Sequence, residues 1–180
     1  MVLLTETVQT KLTYGGEQVK ITTVSATAVN ERQKVVISLL KKLESDDTYG
    51  VGLGEEYKNI RFGLYAAETL TAADGTEIPQ DGLLEIVGID ENGLAVFTAD
   101  IPAGAKLYVK EVATDAHYLL SDAVYPVAFD YEDASVAVIQ LVINNGEVIE
   151  NTIIRGSIHG LKVDEDHTPV SGAVFGLFKA

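Results

Sequence analysis

Apolar and polar residues alternate along much of this chain with a period of two, the spacing that puts every second side chain on one face of a strand. The clearest run is Lys34 to Leu43, where Val35, Ile37, Leu39 and Lys41 share a face. Similar alternation predicts strands over Arg61 to Ala66, Leu83 to Ile89, Leu94 to Thr98, Lys106 to Val112, Tyr125 to Tyr131, Val136 to Ile143 and Glu147 to Ile154. Turn-forming residues separate these runs. Asp90-Glu91-Asn92-Gly93 predicts a hairpin, and Pro102 to Gly104 and Asn144-Asn145-Gly146 predict further turns. Helical periodicity is absent, apart from short helices conceivable within Ser45 to Asn59 or around Ala66 to Ala73. Many short strands with regular turn signals predict an all-β fold, an antiparallel β-sandwich with its first and last strands adjacent.

The alternation also repeats at long range. Asn30 to Lys41 reads NERQKVVISLLK and Asn151 to Lys162 reads NTIIRGSIHGLK, an offset of 121 positions (151 − 30). Each copy follows a strand-like run, LTYGGEQVKITTV or FDYEDASVAVIQLV, and each precedes FGLY (Phe62 to Tyr65) or FGLF (Phe175 to Phe178). LLTETV at Leu3 to Val8 likewise resembles LLSDAV at Leu119 to Val124. A period of this length fits tandem domains rather than a solenoid. The expected division is residues 1–33 as the end of one module, 34–154 as a complete module, and 155–180 as the start of a third. Neither partial module is expected to bury a full core alone.

Composition narrows the function. Hydrophobic residues make up 47% of the 180, enough for a packed core. No cysteine is present, which excludes disulfides, thiol catalysis and thiolate-bound metals. The formal net charge of −14 argues against nucleic acid and anionic membrane surfaces. MVLLTETVQT has no basic start and no long apolar stretch, so any export signal or wall anchor is expected outside this sequence. His117, His159 and His167 fit no metal spacing, Asp164-Glu165-Asp166 lacks the glycine and distal glutamate of a calcium loop, and Gly50-Val-Gly-Leu-Gly lacks the lysine of a phosphate loop. No metal or cofactor is expected, and no enzyme acting on an external substrate.

Three polar residues stand apart from this pattern. Lys41 has core-facing parity, and burial disfavours its charged form, leaving a nucleophilic amine. Glu111 shares parity with Leu107 and Val109, and a buried glutamate tends to hold its proton and so to act as an acid. Asn151 lies in the last strand, and its carboxamide carbon becomes electrophilic once its oxygen is hydrogen-bonded to an acid. Brought together, these groups could join Lys41 to Asn151 and release ammonia. The residues alone equally allow three unrelated polar side chains, with Lys41 extending its ammonium to solvent at a strand end.

The opening strand ending in Lys41, then RFGLYAAE, LYVKEVATDAHYLL and IENTIIRG, resembles the B-type (Cna B-type, SpaA-like) repeat domains of Gram-positive surface adhesins and pilins. The resemblance covers residues 34–154 and extends, truncated, into both ends. It implies a prealbumin-like, reverse-immunoglobulin-like sandwich with an intramolecular Lys–Asn isopeptide bond assisted by a buried acid. On this chain the bond would join Lys41 to Asn151, with Glu111 assisting. The competing Lys42 has the opposite parity, and the repeat aligns Lys41 with Lys162. Where the family's acidic motif often continues Ala-Pro-x-Gly-Tyr, this chain has Asp115-Ala-His-Tyr, retaining Tyr118. In the partial modules, Asn30 has no matching lysine or acid and Lys162 no asparagine. The resemblance further implies a stalk or spacer on the cell surface, attached to the wall, with neighbouring like modules as partners. The alternative is a ligand-binding adhesin module contacting a matrix protein or glycan through the exposed loop Asp46 to Asn59.

Overall fold

A computed structural model of the chain describes residues 2–3, 7–72 and 74–178. Its strands are β1 (Lys34–Leu43), β2 (Arg61–Ala66), β3 (Leu70–Thr71), β4 (Glu77–Ile78), β5 (Leu83–Gly88), β6 (Leu94–Phe97), β7 (Lys106–Ala113), β8 (Val124–Ala128), β9 (Val138–Val142) and β10 (Ile149–Asn151). The helical element expected between Ser45 and Asn59 is a single 3-10 turn, Glu56–Asn59. Around Ala66 to Ala72 the chain bends into β3 instead, and Ala73 lies outside the described residues.

Two four-stranded sheets face each other. One has the order β5-β2-β7-β8 and is antiparallel throughout. The other is built on β1, whose strict alternation buries Val35, Ile37, Leu39 and Lys41. β6 pairs with one edge of β1 antiparallel, from Ile37 opposite Phe97 to Leu40 opposite Leu94. β9 and then β10 share its other edge, and both run parallel to it. The first and last strands are therefore adjacent, as expected, but through a parallel ladder, made possible by the long crossover of the intervening strands. The step from β9 to β10 is a 3-10 turn, Ile143–Gly146, in which Asn144, Asn145 and Gly146 all take positive φ (55°, 53° and 83°), the region asparagine and glycine tolerate best. Between the sheets, Phe62 and Leu64 of β2 and Leu107 and Val109 of β7 join Ile37, Leu39, Phe97 and the fully buried Phe129 in one core. Ahead of β1, Gln33 is buried: its amide donates to the carbonyls of Asp133 and Val136 (3.2 and 2.6 Å) and its oxygen accepts from the Glu132 N–H (2.9 Å).

The turn expected at Asp90–Gly93 forms, but not as a hairpin. The Asp90 carboxylate accepts the N–H groups of Asn92 and Leu94 (2.9 and 2.8 Å), and the chain then crosses from one sheet to the other, so that β5 pairs with β2 and β6 with β1. Glu85 fixes the far side of this crossing by accepting the N–H groups of Thr98 and Ala99 (2.9 and 2.8 Å). The Gly93 carbonyl accepts the Lys41 N–H (2.8 Å).

Outside these strands, residues 7–33 and 155–178 form no strand among the described residues, apart from a single bridge between Val163 and Pro169. Asn30 and Lys162 are both exposed. The resemblance between Leu3–Val8 and Leu119–Val124 falls largely on Leu4 to Glu6, outside the described residues.

Gly93 has φ of 80°, and a side chain there would collide with the Lys41 carbonyl. Gly93→Ala is expected to destabilise the fold by more than about 1 kcal/mol, read as a lower urea midpoint at unchanged slope.

Candidate functional site

Lys41, Asn151 and Glu111 lie together between the sheets. Lys41 ends the inward face of β1, and Asn151 ends β10, its parallel neighbour, where Lys41 stands opposite Ile149 and Leu43 opposite Asn151. Glu111 comes from β7 in the facing sheet, paired with Phe62 of β2. The three residues are 4%, 2% and 3% exposed, so water screens none of their interactions. Lys42, the competing lysine, points outward and pairs with the exposed Glu150 at 3.7 Å, as its parity requires.

The contacts form one connected set. Lys41 Nζ donates to Asn151 Oδ1 at 2.5 Å. Asn151 Nδ2 donates to both oxygens of Glu111, at 2.8 and 3.0 Å, and to Thr114 Oγ1 at 2.9 Å. Lys41 Nζ lies 3.5 Å from Glu111 Oε1. Glu111 Oε2 also accepts the Ser121 N–H at 3.0 Å. The ring of Phe62 sits 5.9 Å from the lysine nitrogen. Among the described residues, no buried side-chain nitrogen or oxygen lacks a partner.

One detail differs from the sequence expectation. The amide nitrogen of Asn151, not its oxygen, faces Glu111. The reason is donor and acceptor matching: an ammonium can only donate and a carboxylate can only accept, so the carboxamide between them turns its oxygen to Lys41 and its nitrogen to Glu111.

Burial pushes the Lys41 pKa down, and the nearby Glu111 charge opposes that fall without reversing it. An ion pair in such a place recovers its desolvation penalty only in part. Passing one proton from Lys41 to Glu111 removes both charges, leaving a neutral amine beside the Asn151 carboxamide and an acid beside its nitrogen. These are the groups an acyl transfer from nitrogen to nitrogen requires.

A second cluster pins the chain on either side of this site. The Glu44 N–H donates to the Asn151 carbonyl at 3.0 Å, and the Glu44 carboxylate accepts the Ile153 N–H at 2.8 Å. Arg155 binds the same carboxylate with two nitrogens, at 2.8 and 3.0 Å. Tyr118 is buried and donates its hydroxyl to the Glu44 carbonyl at 2.8 Å. Thr114, Ser121, Glu44 and Arg155 were not singled out by sequence. Thr114 lies beyond the end of β7, where alternation no longer indicates facing, and Glu44 and Arg155 meet only because β1 and β10 end side by side.

No protein-family model matches the chain, and no curated protein does. Among solved structures it is similar to the TIE protein of Bacillus anthracis (TM-score 0.40, 16% identity, 78% of this chain and 24% of that one). It is also similar to a minor pilin of the Gram-positive pathogen Streptococcus agalactiae (0.41, 18%, 71% and 48%). A third is the full-length major pilin SpaD of Corynebacterium diphtheriae (0.39, 20%, 70% and 32%). The chain spans less than half the length of each of these three. The chemistry of the site stands on this chain's own residues and distances.

The Arg155 guanidinium, followed by the Ile153 N–H, lowers the Glu44 pKa from its ordinary 4.5 to about 2. A carboxylate depressed on folding contributes stability that is present above its unfolded pKa and lost as pH falls through the folded one. The difference in urea midpoint between the wild type and Glu44→Gln is therefore expected to be full at neutral pH, to shrink below about pH 4.5 and to vanish near pH 2. A midpoint difference that stays constant across that range would contradict the pairing.

Proposed function

We propose that this chain is a structural stalk or spacer segment of a bacterial surface protein, with residues 34–154 as its complete module, stabilised by a self-catalysed isopeptide bond between Lys41 and Asn151. The observation that carries this reading is the buried contact of Lys41 Nζ, the Asn151 carboxamide and the Glu111 carboxylate. Lys41 gives its proton to Glu111, and its neutral amine attacks Asn151 Cγ. The Nζ–Cγ bond forms as the Cγ–Nδ2 bond breaks. Glu111 returns the proton to the departing nitrogen, which leaves as ammonia, and takes up the second proton that Nζ sheds as the new amide forms; no oxidant or cofactor takes part. Folding supplies the proximity that an amine and an unactivated amide otherwise lack. The reaction turns over once, on the protein itself, so the module is not an enzyme towards other molecules. The surface location, with attachment to the wall, and the partnership with neighbouring like modules are part of the same proposal.

Intact mass spectrometry of the folded protein tests this reading. The wild-type mass is expected to be one ammonia below the sequence mass. Glu111→Ala should fold and keep the full mass, and Lys41→Ala and Asn151→Ala should also keep it. The bond would close a loop of roughly 100 residues, and by analogy with a disulfide of that span it would stabilise the fold by about 4–5 kcal/mol in the chain-entropy picture. A well-folded wild type at full mass overturns the proposal.

A second reading, an adhesive module, is favoured by the loop after β1. That loop is ordered by an Asp46–Val51 bridge and by Glu56, which accepts the N–H groups of Gly52 and Gly54, and it presents Tyr49 82% exposed. Tyr49, Val51, His117, Ile154 and Arg155 border a groove of about 550 Å³ beside it. If the loop is adhesive, shortening Asp46 to Asn59 abolishes binding to a matrix-protein or glycan array while leaving the cross-link intact. A wild type that binds nothing on such arrays leaves the spacer role alone.

A further inference from the structure

The proposed reaction needs more than three groups in contact. A carboxamide can sit either way round, and only one way puts the departing nitrogen against the acid. Glu111 alone does not decide this, because once it has taken the proton from Lys41 it can donate to the Asn151 oxygen as readily as it accepts from the nitrogen. Something else must keep the nitrogen in place after the charges have gone.

We infer that the Thr114 hydroxyl is that group: a positioning residue that holds the Asn151 nitrogen on the Glu111 side through proton transfer, so that ammonia forms beside its proton source. This inference rests on the isopeptide reading above. Asn151 Nδ2 carries two N–H groups. One is shared between the two oxygens of Glu111, and the other goes to Thr114 Oγ1 at 2.9 Å. The Thr114 contact involves no charged group, so it outlasts neutralisation of the Lys41–Glu111 pair, and turning the carboxamide over requires breaking it. Position supports the same role. Thr114 follows β7 directly, three residues after Glu111, so the strand that supplies the acid also supplies the hydroxyl that orients its substrate. The Ser121 N–H, in the segment between β7 and β8, holds Glu111 through Oε2 at 3.0 Å.

The test follows bond formation during cell-free synthesis of the full chain. Aliquots are quenched in acid and urea, and the fraction lacking one ammonia is read by intact mass, per folded molecule as judged by tyrosine near-ultraviolet circular dichroism. Thr114→Val keeps the shape and removes the hydroxyl. It is expected to slow cross-linking roughly tenfold, the rate effect of losing one hydrogen bond of ordinary net strength. Thr114→Ser restores the hydroxyl and is expected to stay within about twofold of wild type. Because Thr114 neither gives nor takes the proton, the rate-versus-pH curve of Thr114→Val should be lowered without shifting along the pH axis. If the wild type never loses ammonia, the isopeptide reading and this inference fall together. If the wild type cross-links and folded Thr114→Val keeps pace with it, or if Thr114→Ser is as slow as Thr114→Val, the role assigned to Thr114 is overturned and the bond stands.

Discussion

A lysine buried where a charge is unwelcome governs this structure. Strict alternation along β1 puts Lys41 on the same inward face as Val35, Ile37 and Leu39, and the fold must then provide for its amine. It does so by placing acceptors from two other strands around it: the Asn151 oxygen from β10 at 2.5 Å and a Glu111 oxygen from β7 at 3.5 Å. Replacing either neighbour by an apolar side chain would leave the buried Lys41 amine short of an acceptor, at some cost in stability. The site therefore constrains the sandwich, fixing the register of β10 against β1 and the height of β7 in the opposite sheet.

That constraint explains why part of the fold was legible in the sequence. Parity is a local property, so the inward faces of β1 and β7, and with them Lys41 and Glu111, could be read from spacing alone. So could the exclusion of Lys42, which parity turns outward. What spacing does not encode is which strands become neighbours. The Asp90–Gly93 turn carries good hairpin chemistry, yet the strands on either side of it belong to different sheets, because Glu85 and the Lys41–Gly93 backbone bond hold the chain in a crossing. The parallel ladder of β1 with β9 and β10 was equally hidden, since about a hundred residues of sequence separate its partners. Asn151 was legible as a residue and illegible in orientation: which end of its amide meets Glu111 depends on the charges around it, and those depend on the assembled site.

The long-range repeat raises a different physical question. The stretch 155–163 copies β1 in sequence, with Lys162 in the place of Lys41, yet it forms no strand here. β1 is held by β6 on one side, by β9 and β10 on the other, and by the facing sheet beneath. Residues 155–163 have none of these partners among the described residues. The same pattern therefore gives a strand in one setting and, apart from the Val163–Pro169 bridge, a largely exposed run with no strand in another, as expected when packing rather than propensity decides β-structure. The residues that end the folded region reinforce this break: Arg155, which stands in the second copy where Lys34 opens β1, is held back by Glu44.

The parallel ladder has a mechanical consequence for a spacer. Because β1 and β10 run in the same direction side by side, the chain enters the sandwich at the start of β1 and leaves it at the far end, past Asn151. Tension applied through the two ends shears β1 along β9 and β10, loading the ladder hydrogen bonds together instead of peeling them one at a time. The proposed Lys41–Asn151 bond would lie at the exit end of that shear plane. Force would run along β1 to the Lys41 side chain, cross to Asn151 and leave, so that residues 42–150 stay off the load path altogether. A bond between the middles of two facing strands would stabilise the folded state comparably but leave most of the ladder to carry tension. Placed at the last residue of β10, it removes the intervening chain from extension, and that position, more than any gain in stability, is what suits this site to a load-bearing segment.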